Sequence, residues 1–232
     1  MVKWNSRVLF IDGFAGPGEY SKGEDGSPVI VLKAARDHTH KFESELVCLF
    51  VEADRPRYEH LKAVLGKIKP TLPSNIKCQS VHGVFNDHVT QVFKDLEEQK
   101  KRLAPTLAFV DPFGYSHTPF TTIARLMSYQ KCEVLINFMF EEVVRFLSLA
   151  NQAQHFDALF GTSEWREALD LSTPDERLKF IHDLYLKQLR KVAKYVRSFQ
   201  MLNMGNRVDY FLFFATNNLK GPGKDEGSNV EG

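Results

Sequence analysis

Cysteine is scarce in this sequence: three residues in 232, far apart and without a Cys-x-x-Cys pair. Cys48 and Cys132 lie in or beside apolar runs typical of strands, so we expect all three cysteines to be free thiols of a reducing compartment. This spacing excludes a disulfide framework and disfavours a cysteine zinc site. His38, His40 and His88 also lack the spacing of metal ligands, so we predict no metal.

An excess of charge of one sign is also missing. Lys and Arg number 30 against 29 Asp and Glu, which gives a formal net charge of +1 and excludes a chain that is basic throughout. Any contact with nucleic acid must therefore come from a local patch. No apolar run reaches the length needed to cross a bilayer, and residues 1–6 do not resemble a signal peptide. We expect a cytoplasmic protein with no membrane partner.

What the sequence does contain is a regular alternation of short apolar runs and amphipathic segments. Continuous apolar runs are typical of buried parallel strands, whereas apolar residues three and four apart indicate helices. The alternation predicts an α/β fold with a doubly wound, mostly parallel sheet. The predicted strands cover residues 7–11, 45–51, 76–82, 106–110 and 133–139, and the predicted helices cover residues 28–36 (with Ser27 as N-cap), 54–68, 87–102 and 120–129.

The second part of the chain has a different pattern. Residues 140–194 have helical spacing, which predicts a helical insertion between the fifth and sixth strands. Residues 195–204 and 208–216 predict a closing hairpin. We therefore expect residues 1–216 to form a single Rossmann-like domain. Residues 217–232 are rich in glycine, asparagine and charge, and we expect them to be a disordered tail.

Polar side chains follow the apolar runs at the points where the predicted strands end: Asp12, Glu52, His82, Asp111 and Asn137. In doubly wound sheets, ligands bind beyond the carboxyl ends of the strands. Because the carboxyl ends of parallel strands meet at one edge of a sheet, the sequence predicts a ligand site built from these side chains.

A glycine-rich loop with the sequence Asp-Gly-Phe-Ala-Gly-Pro-Gly follows the first strand. It differs from the Gly-x-Gly-x-x-Gly pattern of dinucleotide sites, and Pro17 and Glu19 disfavour a bound phosphate. The carboxylate of Asp12 instead favours a ligand with a cationic amine or sulfonium, as in S-adenosylmethionine. The alternative is an ordinary turn between a strand and a helix. The residues that we assign to cofactor binding in this segment are Asp12, Gly13, Phe14, Ala15, Gly16 and Gly18.

Glu52 lies at the end of the second strand, where a carboxylate can accept hydrogen bonds from both hydroxyls of a ribose. Its neighbour Ala53 is assigned to the same site. The alternative for Glu52 is a solvated strand end. The third strand ends in His82 rather than in a carboxylate.

The segment Asp-Pro-Phe-Gly-Tyr follows the fourth strand, at residues 111–115. Methylation of an amine needs an acceptor for its N–H, so that the nitrogen lone pair can face the methyl group, and an aromatic ring can hold a flat base. Asp111 and the Pro112 carbonyl can accept, and Phe113 or Tyr115 can stack. We assign these four residues and Gly114 to catalysis; the alternative is a tight turn with a core aromatic.

Five segments occur in an order that resembles the three-Cys-motif partner proteins: residues 10–18 (FIDGFAGPG), 26–28 (GSP), 50–54 (FVEAD), 109–115 (FVDPFGY) and 133–139 (EVLINFM). The resemblance implies a class-I methyltransferase-like Rossmann fold with S-adenosylmethionine as cofactor. The Asp-Pro-Phe-Gly element also resembles that of tRNA guanine-N2 dimethyltransferases and, more loosely, the Asp-Pro-Pro-Tyr element of adenine-N6 methyltransferases. The implied activity is amino methylation of a nucleobase in RNA or DNA. The resemblance also implies a contact with the adenine of the cofactor after the third strand, and because no carboxylate is present there, we expect Asn86 or a backbone group to make it.

Two other classes of function stay open. A non-catalytic partner subunit of a nucleic-acid-processing or defence system, bound to a protein encoded nearby, would keep the sheet, and the non-acidic residues 82–84 favour it. A cleavage component would need a metal and a carboxylate cluster, which the sequence lacks.

A run of basic residues near the end of the helical insertion is either a solvated helix surface or a stripe that contacts phosphates. That run consists of Lys187, Arg190, Lys191, Lys194 and Arg197.

Overall fold

The computed structural model describes residues 5–39, 43–112, 114, 118–206 and 208–218. Its strands are β1 (Arg7–Asp12), β2 (Glu45–Glu52), β3 (Ile76–His82), β4 (Thr106–Val110), β5 (Cys132–Phe138), β6 (Tyr195–Leu202) and β7 (Val208–Thr216). Its helices are α1 (Ser27–Asp37), α2 (Arg55–Ile68), α3 (Phe85–Glu98), α4 (Phe120–Met127), α5 (Phe140–Phe146), α6 (Ala153–Phe160) and α7 (Pro174–Val192).

These strands form a seven-stranded sheet in the order β3–β2–β1–β4–β5–β7–β6. Strands β1 to β5 pair in parallel, whereas β7 lies between β5 and β6 and is antiparallel to both. Apart from the edge strand β3, the parallel strands are built from nearly continuous apolar runs, which suit strands with both faces covered. This strand order with a reversed seventh strand is that of class-I methyltransferases, so the predicted fold class is confirmed.

Helices cover both faces of the sheet, and each face has its own apolar core. On one face, Leu32 of α1 and Leu61 of α2 pack with Phe50 of β2. The larger core lies on the opposite face, where α3, α4, α6 and α7 bury residues such as Phe93 and Ile123. This doubly wound arrangement leaves the carboxyl ends of the parallel strands at one edge, where the strand-to-helix loops meet.

The chain between β5 and β6 contains α5, α6 and α7, which contribute to the larger core. Helix α7 begins with a capping box, in which the Thr173 hydroxyl accepts the N–H of Glu176 and the Glu176 carboxylate accepts the N–H of Thr173. Pro174 follows in the first turn, where an N–H has no helical partner. Strands β6 and β7 then form the predicted closing hairpin.

Three predicted helix starts are wrong. Helix α2 begins one residue later than predicted, at Arg55, with Asp54 as its N-cap. The other two starts differ because of tertiary contacts. The N-cap of α1 is Gly26 rather than Ser27, which is already helical and whose hydroxyl is bound by Asp12. Helix α3 begins at Phe85 rather than at Asp87, because the Phe85 side chain is buried and packs against the ring of Phe14. In both cases a contact distant in sequence decides where the helix begins.

The remaining general features concern thiols, membranes and metals. Cys48 and Cys132 are buried, Cys78 is partly buried, and all three are free thiols. Over the ranges that the structure describes, no helix is both long enough and apolar enough to cross a membrane. In the same ranges, no group of three or more His, Cys, Asp or Glu side chains is arranged to hold a metal ion.

Candidate functional site

The glycine-rich loop is tied by its backbone to the two strands beside β1. The N–H of Gly13 donates to the carbonyl of Phe109 at 3.0 Å, and the N–H of Ala15 donates to the carbonyl of Val51 at 2.9 Å. These bonds join the loop to the ends of β4 and β2. The loop therefore lies over the carboxyl ends of three neighbouring strands, where the sequence predicted a ligand site.

The glycines of this loop have specific conformational roles. Gly16 and Gly18 have φ values of 64° and 82°, in the left-handed region that side chains disfavour. Gly13 has a steric role instead, because an added Cβ would lie 2.8 Å from the ring of Phe85. The sequence Gly-Phe-Ala-Gly-Pro-Gly thus specifies a tight loop whose backbone packs closely on α3.

Asp12 is the last residue of β1 and its side chain is fully buried beneath the loop. One carboxylate oxygen accepts the N–H of Phe14 at 3.1 Å, and the other accepts the hydroxyl of Ser27 at 2.6 Å. Burial raises the pKa of Asp12 from 3.8 to about 6, and repulsion from Asp111 and Glu52 adds to this rise. Asp12 therefore holds the loop and the start of α1 together through two hydrogen bonds. Its buried carboxyl has a pKa much closer to neutral than that of a free aspartate.

Ser27 is a site residue that the sequence reasoning placed wrongly. We expected its hydroxyl to cap α1, but the hydroxyl donates to Asp12, and the cap position is taken by Gly26. An added Cβ at Gly26 would lie 2.9 Å from the carbonyl oxygen of Gly18, so this position also packs closely on the loop. The Gly-Ser-Pro segment therefore packs against the glycine-rich loop and also begins α1.

Glu52 is the last residue of β2, and 6% of its surface is exposed. One carboxylate oxygen accepts the N–H of Gly16 and the other accepts the N–H of Asp54, both at 2.8 Å. Each carboxylate oxygen has a second lone pair that can accept a further hydrogen bond. Glu52 therefore lies between the glycine-rich loop and the start of α2, with acceptor capacity left on both oxygens.

Two histidines bond to backbone carbonyls beside these acids. Ala53, which we assigned to the cofactor site, is exposed, and its carbonyl lies 3.1 Å from Nε2 of His82. The carbonyl of Pro17 in the glycine-rich loop lies 2.8 Å from Nδ1 of His60 on α2. A carbonyl only accepts, so in each bond the imidazole nitrogen donates, and both rings hold backbone next to the site.

Asn86 forms a contact with another helix. It lies in the first turn of α3, and its carboxamide oxygen accepts the hydroxyl of Thr122 on α4. This contact joins two helices that pack side by side, and no sequence pattern predicted that α4 would lie there. The contact of Asn86 with adenine stays a prediction.

Asp111 directly follows β4 and is paired with a residue of the next strand. Nδ2 of Asn137 on β5 donates to one carboxylate oxygen of Asp111 at 2.7 Å. Burial raises the pKa of Asp111, and the hydrogen bond from Asn137 partly opposes that rise. The two predicted stacking residues, Phe113 and Tyr115, lie outside the residues that the structure describes.

A crevice lies beside this Asp111–Asn137 pair, between the ends of β4 and β5 and the helices that follow. Among the described residues, the carboxamide oxygen of Asn137 and the hydroxyl of Thr118 have no hydrogen-bond partner although both atoms are buried. Buried polar atoms are nearly always paired, so these two are open to a ligand. The residues that line the crevice include Pro112, Gly114, Thr118, Asn137, Met139 and Tyr185.

The same fold occurs in solved methyltransferase structures. The DszA carbon methyltransferase aligns with a TM-score of 0.51 and 14% identity, covering 93% of this chain and 48% of that chain. The O-methyltransferase from Bacillus cereus in complex with SAH aligns at 0.45 and 14%, covering 91% and 74%. The METTL16 methyltransferase domain aligns at 0.45 and 13%, covering 93% and 62%. No protein-family model and no curated protein matches the chain. At these identities the likeness extends to the fold alone.

Proposed function

We propose that this chain binds S-adenosylmethionine and transfers its methyl group to an amino group of a nucleobase in RNA or DNA. The observation that carries the proposal is the convergence of three carboxylates around a tight glycine-rich loop. Asp12, Glu52 and Asp111 end three neighbouring strands of a class-I methyltransferase fold. Carboxylates held together in a partly buried site attract a cationic ligand.

The residues present fit this cofactor. S-adenosylmethionine carries an ammonium and a sulfonium, and the acids around the loop provide compensating negative charge. Glu52 retains acceptor capacity on both oxygens, as two ribose hydroxyls require. The bond from the N–H of Gly16 to Glu52 couples the loop to the acid that would hold the ribose.

The acceptor side is argued from the pair of Asp111 and Asn137. Among the described groups, the carboxamide oxygen of Asn137 and the hydroxyl of Thr118 are buried without partners, next to a carboxylate with a free oxygen. Carboxylate and carboxamide oxygens only accept hydrogen bonds, so a ligand group with N–H donors would be the complementary partner for these oxygens. An exocyclic amine of a base has such donors. The resemblance of residues 111–114 to tRNA guanine-N2 dimethyltransferases supports the same acceptor class.

Methyl transfer requires little proton transfer by the side chains of the protein. The sulfonium of the bound cofactor supplies a methyl group that is already activated. Asp111 and Asn137 would accept the N–H groups of the amine and so direct its lone pair, and holding the two reactants in line supplies most of the acceleration. Burial raises the pKa of Asp111, so we expect transfer to fail as the pH falls through that raised pKa.

The first experiment is calorimetric titration of S-adenosylmethionine and S-adenosylhomocysteine into the wild type and Glu52→Gln. The substitution keeps the size of the side chain but removes the charge. A charged hydrogen bond contributes about 1.5–3 kcal/mol, so we expect affinity to fall about ten- to a hundredfold. Glu97→Gln, at an exposed position of α3, is the control and should bind as the wild type. Absence of binding to the wild type would refute the cofactor assignment.

The second experiment tests transfer. Mixed RNA and mixed DNA are incubated with cofactor carrying a radioactive methyl group, and base amines are then checked for label. We expect Asp111→Asn to lose transfer by at least about a hundredfold while keeping cofactor affinity, since it can no longer accept at both oxygens. Full transfer by this variant would contradict the role assigned to Asp111.

A second candidate is a non-catalytic subunit that resembles the three-Cys-motif partner proteins. It is favoured by Asn86, whose carboxamide oxygen is bonded to Thr122, and by the non-acidic end of β3 at His82. A subunit of this kind would bind the cofactor or retain only the fold, and would act through a protein partner. Cofactor binding without transfer to RNA or DNA would favour this candidate.

A further inference from the structure

The end of α7 and the start of β6 form an open basic groove, which we call the β6 groove. It is lined by Arg190, Lys194, Tyr195, Arg197, Phe214 and Thr216. The side chains of Arg190, Lys194 and Arg197 are all exposed. The ammonium of Lys194 lies 5.4 Å from the ring centre of Tyr195, so the cations lie beside an aromatic surface.

The charge of this groove is not neutralised by neighbouring acids. Lys187, one helical turn earlier, is paired with Glu164 at 2.6 Å, whereas Arg190, Lys194 and Arg197 form no ion pair with any described residue. A carboxylate that borders the groove, Glu133, accepts the hydroxyl of Thr216 at 3.1 Å. Three cations against one partly buried acid leave the groove suited to an anion.

The sheet register connects this groove with the acceptor crevice. Strand residues in one row lie side by side on the same face. Asn137, Leu212 and Phe199 form one row across β5, β7 and β6, and the next row on that face runs through Phe214 to Arg197. With about 3.3 Å per residue and about 4.8 Å between strands, Arg197 is about 12 Å from Asn137.

The face that carries these rows is the one that α7 leaves uncovered. Helix α7 packs on the opposite face, where Tyr185 contacts Phe213 with ring centres 5.2 Å apart. On the open face, Phe199 is 55% exposed, which is unusual for a large aromatic side chain. The open face thus offers an aromatic ring and three cations within a short distance of Asn137, which lies in a row on the same face.

We propose that a single-stranded segment of nucleic acid crosses this face, with its phosphates at Arg190, Lys194 and Arg197 and a base on Phe199. Cations that follow a backbone, combined with exposed aromatic rings, are the features that bind single strands without sequence preference. The inference rests on the proposed function, because it gives a nucleobase acceptor a place for the nucleotides beside it. RNA and DNA share the phosphate and base chemistry involved.

The test measures binding rather than methyl transfer. Fluorescence anisotropy follows a labelled single strand of about 20 nucleotides, as RNA and as DNA, across a series of salt concentrations. The variant is the triple substitution Arg190→Ala, Lys194→Ala and Arg197→Ala in the full chain. A matched control removes the same charge elsewhere through Lys67→Ala, Lys101→Ala and Arg102→Ala, all at exposed positions.

We expect the triple variant to bind about ten- to a hundredfold more weakly, and the slope of log affinity against log salt to fall by about 2, or about 0.7 for each lost phosphate contact. Phe199→Ala should weaken single-strand binding about five- to a hundredfold and leave binding of a duplex unchanged. The charge control should keep most of the wild-type affinity. Circular dichroism and cofactor affinity show whether each variant is folded.

Two results would overturn the inference. If the wild type binds both strands and the triple variant binds equally well, the nucleic acid lies elsewhere on the protein. If the wild type binds neither strand, the groove has no such ligand. Intact S-adenosylmethionine binding in that second case would separate the failure of this groove from a failure of the cofactor assignment.

Discussion

Replacement of the buried acid under the glycine-rich loop, Asp12→Asn, is expected to stabilise the fold at neutral and alkaline pH. Burial raises the pKa of Asp12 from 3.8 to about 6. At 1.36 kcal/mol per pH unit, the difference corresponds to a cost of about 3 kcal/mol when this carboxyl ionises in the folded protein. Asparagine has the same size, and can still accept the N–H of Phe14 and bond with the hydroxyl of Ser27. The hydrogen bonds are thus kept while the buried charge is removed.

The pH dependence of this effect has a definite sign. The pKa of Asp12 is higher in the folded chain than in the unfolded chain, so folding favours the protonated carboxyl. Its stabilising contribution is full below pH 3.8, decreases as the pH rises towards about 6, and is absent above that value. The advantage of Asp12→Asn should therefore be near zero at the acid end of this window and reach at most about 3 kcal/mol above it.

Urea unfolding at several pH values from acid to mildly alkaline measures this difference. Asp170→Asn, at an exposed position, is the control and should show no comparable trend. Near the alkaline end the full effect corresponds to a rise in Tm of about 6–12 °C for a domain of this size. The reasoning would be refuted if the free energy of unfolding of Asp12→Asn differed from that of the wild type by the same amount at every pH. Ionisation of Asp12 is the reason why this difference should change with pH.

Three further substitutions test the loop and the cap. Ser27→Ala removes the bond that lowers the pKa of Asp12, so urea unfolding should show a loss of about 1–3 kcal/mol at alkaline pH and less in acid; an equal loss in the Asp12→Asn background would contradict this. Gly18→Ala, at φ 82°, should cost about 1–3 kcal/mol in thermal unfolding, whereas Gly66→Ala, with open space around it in α2, should be neutral or stabilising. Thr173→Ala should cost about 1 kcal/mol and Thr173→Ser much less, and equal losses would argue against the capping box.

Much of the fold was predictable from the sequence because most of its parallel strands are apolar runs that pack in the core. Residues 106–110 match β4 at both ends, since an apolar run in a parallel sheet stops where the chain leaves the core. Residues 76–82 also match β3, an edge strand with exposed polar residues. Helix starts were less predictable. Whether α1 begins at Ser27 or at Pro28 depends on the partner of the Ser27 hydroxyl, which lies on another element.

The candidate site was predictable as a set of strand ends but not as a set of contacts. Asp12, Glu52 and Asp111 were found because a polar residue after an apolar run marks a carboxyl end. The pairing of Asp111 with Asn137 depends on β5 lying beside β4, which the sequence does not state. The direction of Asn86 depends in the same way on the packing of α4 against α3.

The position of β7 in the sheet has a consequence for the order of folding. β5 is made before β6 and β7, yet its outer edge is covered only by β7, the last strand of the described chain. During synthesis, the strands that carry Asp12 and Glu52 have their neighbours early, whereas the strand that carries Asn137 keeps an unpaired edge until β7 docks. An unpaired edge is open to association with other chains. The interval before β7 docks is therefore the time at which a nascent chain is most exposed to aggregation.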